Sequence, residues 1–159
     1  MLRITVVAVG KIKSRALTEL IGEYVVRLSK FCALTIIETP DEQISARDGE
    51  AEIIRRTLAE AGGILGRLRD GAYIVALDMN GDAPDSLRMA KKLADASIRY
   101  PEIIFIVGGS HGLHPVVTKR ADYILSMSNL TFPHQLARLI LLEQLYRSFK
   151  INNNETYHK

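Results

Sequence analysis

The sequence predicts an α/β fold in which helices cover a mostly parallel β-sheet. Short runs rich in β-branched residues alternate along the chain with longer segments of helical periodicity. This alternation is typical of parallel sheets, because helices join the strands and cover both faces. The predicted strands are residues 3–9, 34–37, 73–77, 103–107 and 123–125.

Three segments between the strands carry apolar residues at helical spacing, and each predicts a helix with one buried stripe. Asp85 stands where the third of these helices would begin, and aspartate is a common helix N-cap. The region 39–49 is charged and lacks periodicity, which predicts a surface loop. The three stripes are Leu17, Ile21, Tyr24 and Leu28, then Ile54, Leu58, Ala61 and Leu65, then Leu87, Ala90, Leu93 and Ala94.

A last helix is predicted in the final thirty residues. Thr131 and Pro133 mark its start, with the proline in the first turn, where its missing N–H costs nothing. Asparagines 152–154 mark its end, since asparagine tolerates the left-handed conformation of a helix stop. An apolar stripe runs beside a polar edge, which predicts a core helix that also carries functional groups. That edge comprises Gln135, Arg138, Gln144 and Arg147.

Length and composition fit one soluble domain covering residues 1–159, of which 47% are hydrophobic. The single cysteine, Cys32, lies in an apolar run and is expected to be a buried hydrophobe in a reducing compartment. Because no run approaches the roughly 20 apolar residues that cross a bilayer, we expect a cytoplasmic protein without a membrane partner. A net charge of +3 permits an RNA partner without requiring one.

Three polar loops follow predicted strands, at residues 77–81, 108–112 and 125–131. Ligands of open α/β sheets bind beyond the carboxyl ends of the strands, so these loops are expected to form one site. The glycines of the second loop let the backbone approach a ligand closely, and the third loop offers small hydroxyls and backbone groups. Adenine or ribose suits such a site better than a triphosphate.

Several other kinds of site are disfavoured. The loop 108–112 is not a G-x-G-x-x-G fingerprint, and the chain has no P-loop. His111 and His114 lie far from the single cysteine in sequence, so structural or solvated roles are favoured and no metal is expected. Asp78 follows a strand and is better read as a loop or capping residue than as a catalytic acid.

Five segments together resemble one family of bacterial methyltransferases, which act on N3 of a pseudouridine in large-subunit ribosomal RNA. This family is the smallest kind of SPOUT, or α/β-knot, methyltransferase. The resemblance covers the whole chain in order. Two differences from the family pattern precede the tail, at Asn153-Asn154 and at Thr156. The segments are VVAVGK (6–11), GGSHGL (108–113), LSMSNLTFPHQ (125–135), EQLYR (143–147) and YHK (157–159).

The resemblance implies a C-terminal deep trefoil knot and a homodimer with cofactor sites beside its interface. It also implies that S-adenosylmethionine is the cofactor, bent into the knot loops. Carried over by motif, the cofactor contacts would be Leu77, Gly108, Met127, Ser128, Asn129, Leu130, Thr131 and Phe132.

The reaction that the resemblance implies is methylation of 23S ribosomal RNA in the assembled ribosome. The imide nitrogen must lose its proton, so the site needs an anion stabiliser and a route for that proton. The family's positions for these roles fall on Arg147 and His158. Arg147 would stabilise or orient the base, and His158 would handle the proton or recognise the base. Two alternatives remain open, namely a non-catalytic ribosome-binding protein of this fold and a knot methyltransferase acting on transfer RNA.

Overall fold

A computed structural model describes residues 1–157 and contains one five-stranded sheet in which every strand pair is parallel. The strand order is β2-β1-β4-β3-β5, and all five predicted strands are found. The α/β prediction is therefore confirmed. The strands are β1 (Leu2–Val9), β2 (Cys32–Thr39), β3 (Tyr73–Asp82), β4 (Glu102–Val107) and β5 (Tyr123–Leu125). The helices are α1 (Arg15–Leu28), α2 (Glu50–Leu65), α3 (Ser86–Arg99), α4 (Pro115–Arg120) and α5 (His134–Asn152).

Helices cover both faces of the sheet, as the near-continuous apolar strands require. Helices α1, α3 and α5 pack on one face, where their core includes Ile21, Leu93 and Leu141. Helices α2 and α4 pack on the other face, where Ile64 and Val117 contact the strands. Helix α5 lies against both α1 and α3, and no residue from 134 to 150 is fully exposed. Cys32 is buried as predicted, and this burial raises the pKa of its thiol to about 11.

The predicted buried stripe is correct for α1 and partly wrong for α2 and α3. In α2 the buried residues are Thr57, Glu60, Ala61 and Ile64, while Ile54 and Leu58 are each half exposed. The buried face is therefore rotated relative to the face that the apolar pattern predicted. It can include a threonine and a glutamate because the polar groups of both side chains have hydrogen-bond partners. In α3, Leu87 is exposed and Ala96 is buried instead.

Helix boundaries follow the capping residues. Asp85 is the N-cap of α3, and its side chain accepts a hydrogen bond from the Arg88 N–H at 2.8 Å. Pro133 is the N-cap of α5 rather than a residue of its first turn, so the helix begins one residue later than predicted. At the other end Asn154 has φ 54°, the left-handed conformation expected after this helix.

Residues 77–81 form a bulge inside β3 rather than the predicted loop after it. Both Leu77 and Asp82 pair with Leu125 of β5, and the register shifts between them. The chain between them leaves the ladder and then returns to the same edge strand. Gly81 permits this return, because a Cβ there would lie 2.6 Å from the Ile124 carbonyl oxygen. The prediction was wrong because β3 resumes pairing after the polar residues.

Within residues 1–157, no helix combines the length and apolar character needed to cross a membrane.

Candidate active site

A cavity of about 720 Å³ lies at the carboxyl ends of β3, β4 and β5. This volume is within the range of cofactor and substrate pockets, roughly 300–1,000 Å³. The β3 bulge, the glycine loop after β4, the segment after β5 and the start of α5 form its walls. The three polar segments therefore meet in one place. Seven of the residues predicted to contact a cofactor line the cavity, namely Leu77, Gly108, Met127, Ser128, Leu130, Thr131 and Phe132. Asn129, the eighth, does not line it.

The glycine loop is closed by its own backbone. The Gly112 N–H donates to the Gly109 carbonyl oxygen at 3.1 Å. A Cβ on Gly108 would lie 2.8 Å from the carbonyl carbon and 2.9 Å from the oxygen of Gly112, closer than real contacts allow. Gly112 has φ +76°, where side chains are strained. Two of these glycines are therefore required by the geometry of the cavity wall.

The segment after β5 is held in shape by hydrogen bonds within the chain. The Ser126 N–H donates to the Asp82 carbonyl oxygen at 2.8 Å, which fastens the segment to the end of β3. The Ser126 hydroxyl donates to the Ser128 carbonyl oxygen at 3.0 Å, and the Leu130 N–H donates to the Ser128 hydroxyl at 2.9 Å. The wall therefore combines ordered polar groups with the apolar side chains of Met127 and Phe132.

The carboxylate of Asp82 anchors the end of the bulge. Its carboxylate accepts a hydrogen bond from the Tyr123 hydroxyl at 2.7 Å and lies 3.3 Å from Arg88 Nη2. The Tyr123 hydrogen bond lowers the pKa of Asp82, with Arg88 and Lys92 contributing further. Asp78 has a local role, since its Oδ1 accepts from the Asn80 N–H at 2.9 Å. This contact agrees with the reading of Asp78 as a loop residue.

Arg138 is a structural residue of α5 rather than part of a polar edge. It is 1% exposed, and its Nη1 lies 2.7 Å from Glu38 Oε1. Its Nη2 donates to the Gly10 carbonyl oxygen at 2.9 Å. Its spacing with Leu141, Leu142 and Leu145, at positions three, four and seven further on, is the signal that predicts a buried face.

His134 also lines the cavity, although the sequence did not predict it as a site residue. It is the first residue of α5 and is partly buried. Burial lowers the pKa of its imidazole, and the positive charge of Arg138 lowers it further. The sequence nevertheless indicated its place, because His134 directly follows Pro133, at the end of the segment after β5 that lines the cavity.

Arg147 does not line the cavity of its own chain. It lies thirteen residues beyond His134 on the same helix, about 20 Å away at 1.5 Å per residue. Its Nη2 donates to Glu143 Oε1 at 2.6 Å, which raises the pKa of the guanidinium. The guanidinium also lies 4.9 Å from the centre of the Tyr157 ring, and the Tyr157 hydroxyl donates to Glu143 at 3.3 Å. His158, predicted to act with Arg147, lies outside the described residues.

Among residues 1–157, no group of three or more histidine, cysteine or acidic side chains is arranged to hold a metal ion. His111 lies 3.0 Å from the Ser110 hydroxyl through its Nδ1. His114 is the N-cap of α4 and accepts the Val116 N–H through its own Nδ1 at 3.1 Å. Both histidines thus have local hydrogen bonds.

Comparison with known proteins places the chain in a family. The model described as "Predicted SPOUT methyltransferase" matches residues 2–158. Proteins named ribosomal RNA large subunit methyltransferase H from Acetivibrio thermocellus and Clostridioides difficile are each 46% identical to this chain. The protein of that name from Bifidobacterium adolescentis is 44% identical. Each alignment covers 99% of this chain and 100% of the relative. The resemblance seen in the five sequence segments is confirmed, and the chain belongs to the SPOUT methyltransferase family.

Proposed function

We propose that this protein is a ribosomal RNA methyltransferase, which transfers a methyl group from S-adenosylmethionine to N3 of a pseudouridine in 23S RNA. One observation carries the proposal. In a chain related to methyltransferases over its full length, the three predicted polar segments surround a single cavity. We infer that the assembled ribosome is the substrate and that the protein works in the cytoplasm, because its relatives of 44–46% identity are named ribosomal RNA large subunit methyltransferases.

The lining of the cavity fits S-adenosylmethionine. Leu77, Met127, Leu130 and Phe132 offer apolar surface for an adenine ring. The hydroxyls of Ser128 and Thr131 and the loop backbone suit ribose and adenine edges. Gly108 keeps the loop in the shape that forms this wall, because a Cβ there would clash with the Gly112 backbone. Asn129 stays in the proposed set, because its backbone lies between the lining residues Ser128 and Leu130.

The bound cofactor supplies an electrophilic methyl group on a sulfonium sulfur. The protein must then orient the base, exclude water and stabilise the anion that forms when the imide loses its proton. We propose that Arg147 stabilises or orients the base anion, because a guanidinium stays charged and offers several donors. We propose that His158 handles the proton or recognises the base.

Arg147 reaches a cavity only if a second copy of the chain supplies it, since about 20 Å of helix separates it from the cavity of its own chain. We infer a homodimer in which α5 packs antiparallel against its own copy. A two-fold axis near residues 140 and 141 would place His134 of one copy beside Arg147 of the partner subunit. The side of α5 that faces away from the core favours this packing. It carries the apolar residues Leu136 and Ile140, followed by Glu143 and Arg147.

We also propose that residues 1–159 form one domain and that the C-terminal part is a deep trefoil knot. The support is indirect. The segment after β5 is fastened to the end of β3, and α5 then returns to pack between α1 and α3. Such threading is rare among folds in general.

The experiment uses methyl-labelled S-adenosylmethionine with three substrates: isolated 23S RNA, transfer RNA, and ribosomes from a strain lacking this gene. We expect label on N3-methylpseudouridine with ribosomes, and far less with the Gly108→Ala variant at the same cofactor concentration. Label only on transfer RNA would replace the proposed substrate. Cofactor binding without transfer to any RNA would contradict the enzyme proposal, and absence of both would favour a non-catalytic binding protein.

A further inference from the structure

Three residues that line the cavity have titratable side chains: Asp78, His111 and His134. The first two are already engaged locally, because Asp78 accepts the Asn80 N–H and His111 lies within hydrogen-bond distance of Ser110. His134 has no side-chain hydrogen bond to any other residue of the part of the chain that the structure describes. Both of its ring nitrogens are therefore available to a substrate, whereas Asp78 and His111 each have one atom engaged locally.

The surroundings of His134 keep its imidazole neutral near pH 7. Burial is the largest cause of its lowered pKa, followed by the positive charge of Arg138 on α5. Lys13, in the loop after β1, acts in the same direction, whereas Asp41, in the loop after β2, acts in the opposite one. The N-terminal position on α5 also disfavours a cation, because the helix dipole is positive there. A neutral imidazole has one unprotonated nitrogen and can accept a proton.

We propose that His134 is the proton acceptor of the methyl transfer, an inference that rests on the proposed function. The N3–H bond of the pseudouridine breaks and its proton passes to a ring nitrogen of His134. The lone pair left on N3 forms the bond to the methyl carbon, while the carbon–sulfur electron pair stays on sulfur as a thioether. The proton then leaves His134 for solvent through the open cavity. His158 is left with base recognition.

The proposed dimer gives His134 and Arg147 complementary roles. If α5 packs antiparallel against its copy, the Arg147 of the partner subunit lies beside His134 at the same cavity. A cation next to the base lowers the pKa of the imide, and the neutral imidazole takes the proton. The two groups then have different tasks within one site.

The test compares His134→Gln with His114→Asn. Glutamine is similar in size to histidine but cannot accept the proton, whereas asparagine can replace His114 as the N-cap of α4, outside the cavity. Single-turnover methylation of ribosomes should be about 100-fold slower or worse in His134→Gln, as expected for loss of a general base. It should be unchanged in His114→Asn. The wild-type rate should rise with pH through the pKa of His134, and this limb should be absent in His134→Gln.

Two further measurements do not depend on activity. The imidazole of His134, assigned in NMR spectra from the signal lost in His134→Gln, should titrate below the ordinary histidine value of about 6.5. Calorimetry should give the same Kd for S-adenosylhomocysteine in the variant and in the wild type, which also shows that the variant is folded. For His134→Ala, added imidazole should restore part of the rate.

A wild-type rate and pH profile in His134→Gln would overturn the assignment while leaving the proposed function intact. A His134 pKa above 7 would overturn it as well. If the wild-type protein methylates no RNA, the proposed function itself fails.

Discussion

Arg138 of α5 and Glu38, near the carboxyl end of β2, form an ion pair with Nη1 and Oε1 2.7 Å apart. The two partners differ in exposure, because the arginine side chain is 2% exposed and the glutamate side chain 36%. The same guanidinium binds the Gly10 carbonyl oxygen. Its Nε has no partner within the described residues. This one side chain therefore ties the final helix to the ends of two strands.

Loss of Glu38 should cost more stability than loss of an ordinary surface ion pair. Glu38→Ala leaves a buried guanidinium without its counter-ion, and we expect a loss of about 3 kcal/mol in the free energy of unfolding. Adding Arg138→Met should restore part of that loss, because an apolar side chain then replaces the unpaired charge. Urea denaturation of the single and double variants measures both effects.

The pair Arg15–Glu19 provides the control. Its atoms are 2.8 Å apart, and its side chains are 92% and 64% exposed. Glu19→Ala should therefore change the unfolding free energy little. If Glu38→Ala is as mild as Glu19→Ala, the buried pair does not hold α5 as described.

Gly108→Ala should disable the cavity with limited effect on the rest of the fold. The added Cβ meets backbone atoms of Gly112, which cannot move away as a flexible side chain could. We expect at least a tenfold rise in the Kd for S-adenosylhomocysteine, measured by calorimetry, because the glycine loop must shift. Gly62→Ala, on α2, is the matched control. Nothing lies within 4 Å of its added Cβ, and alanine favours a helix by about 1 kcal/mol over glycine. Normal binding by Gly108→Ala would show that the loop does not contact the cofactor.

Mixed dimers can test whether Arg147 acts on the cavity of the partner subunit. At a cofactor concentration well below the raised Kd of Gly108→Ala, Arg147→Ala and Gly108→Ala should each be severely impaired as homodimers, for different reasons. A heterodimer of the two, purified through two different tags, has one intact cavity facing one intact Arg147. It should recover about half of the wild-type rate on ribosomes if sites are built from two chains. An inactive heterodimer would show that both residues must belong to the same chain.

The sequence predicted the layer architecture because hydrophobic periodicity determines which residues can be buried. Strands such as β1 are apolar on both faces, and only a covered parallel sheet can bury them. The three polar segments were predicted to meet because each follows a parallel strand at the same edge of the sheet. This argument needs only chain order, and the cavity confirms it.

The remaining features depend on contacts between distant parts of the chain. The bulge in β3 exists because Leu77 and Asp82 both pair with Leu125, more than forty residues later. The partners of Arg138 are about one hundred residues or more away, at Glu38 and Gly10, so its ion pair could not be read from the α5 sequence. The burial of Glu60 likewise depends on the Glu42 backbone, eighteen residues earlier.

Glu60 should make the stability of the protein depend on pH in a defined direction. Its residue is 6% exposed, its carboxylate accepts the Glu42 N–H at 3.0 Å, and burial raises its pKa. Asp41 and Glu42 raise that pKa further, while the hydrogen bond from Glu42 and the nearby His111 oppose the shift. A raised pKa in the folded state means that the folded protein favours the neutral carboxyl. The resulting stabilisation is complete below the ordinary glutamate pKa of about 4.3 and is lost as the pH rises through the folded value.

Glu60→Gln remains neutral and keeps an oxygen for the Glu42 N–H, so it removes only the cost of the buried charge. We expect the variant to be more stable than the wild type at pH 7.5, by on the order of 1 kcal/mol. The two proteins should converge near pH 4, where the wild-type carboxyl is also protonated. Urea denaturation at several pH values measures the difference, with the exposed Glu19→Gln as the control. A difference that stays constant across this range would mean that lost packing or hydrogen bonding, rather than the charge of Glu60, separates the two proteins.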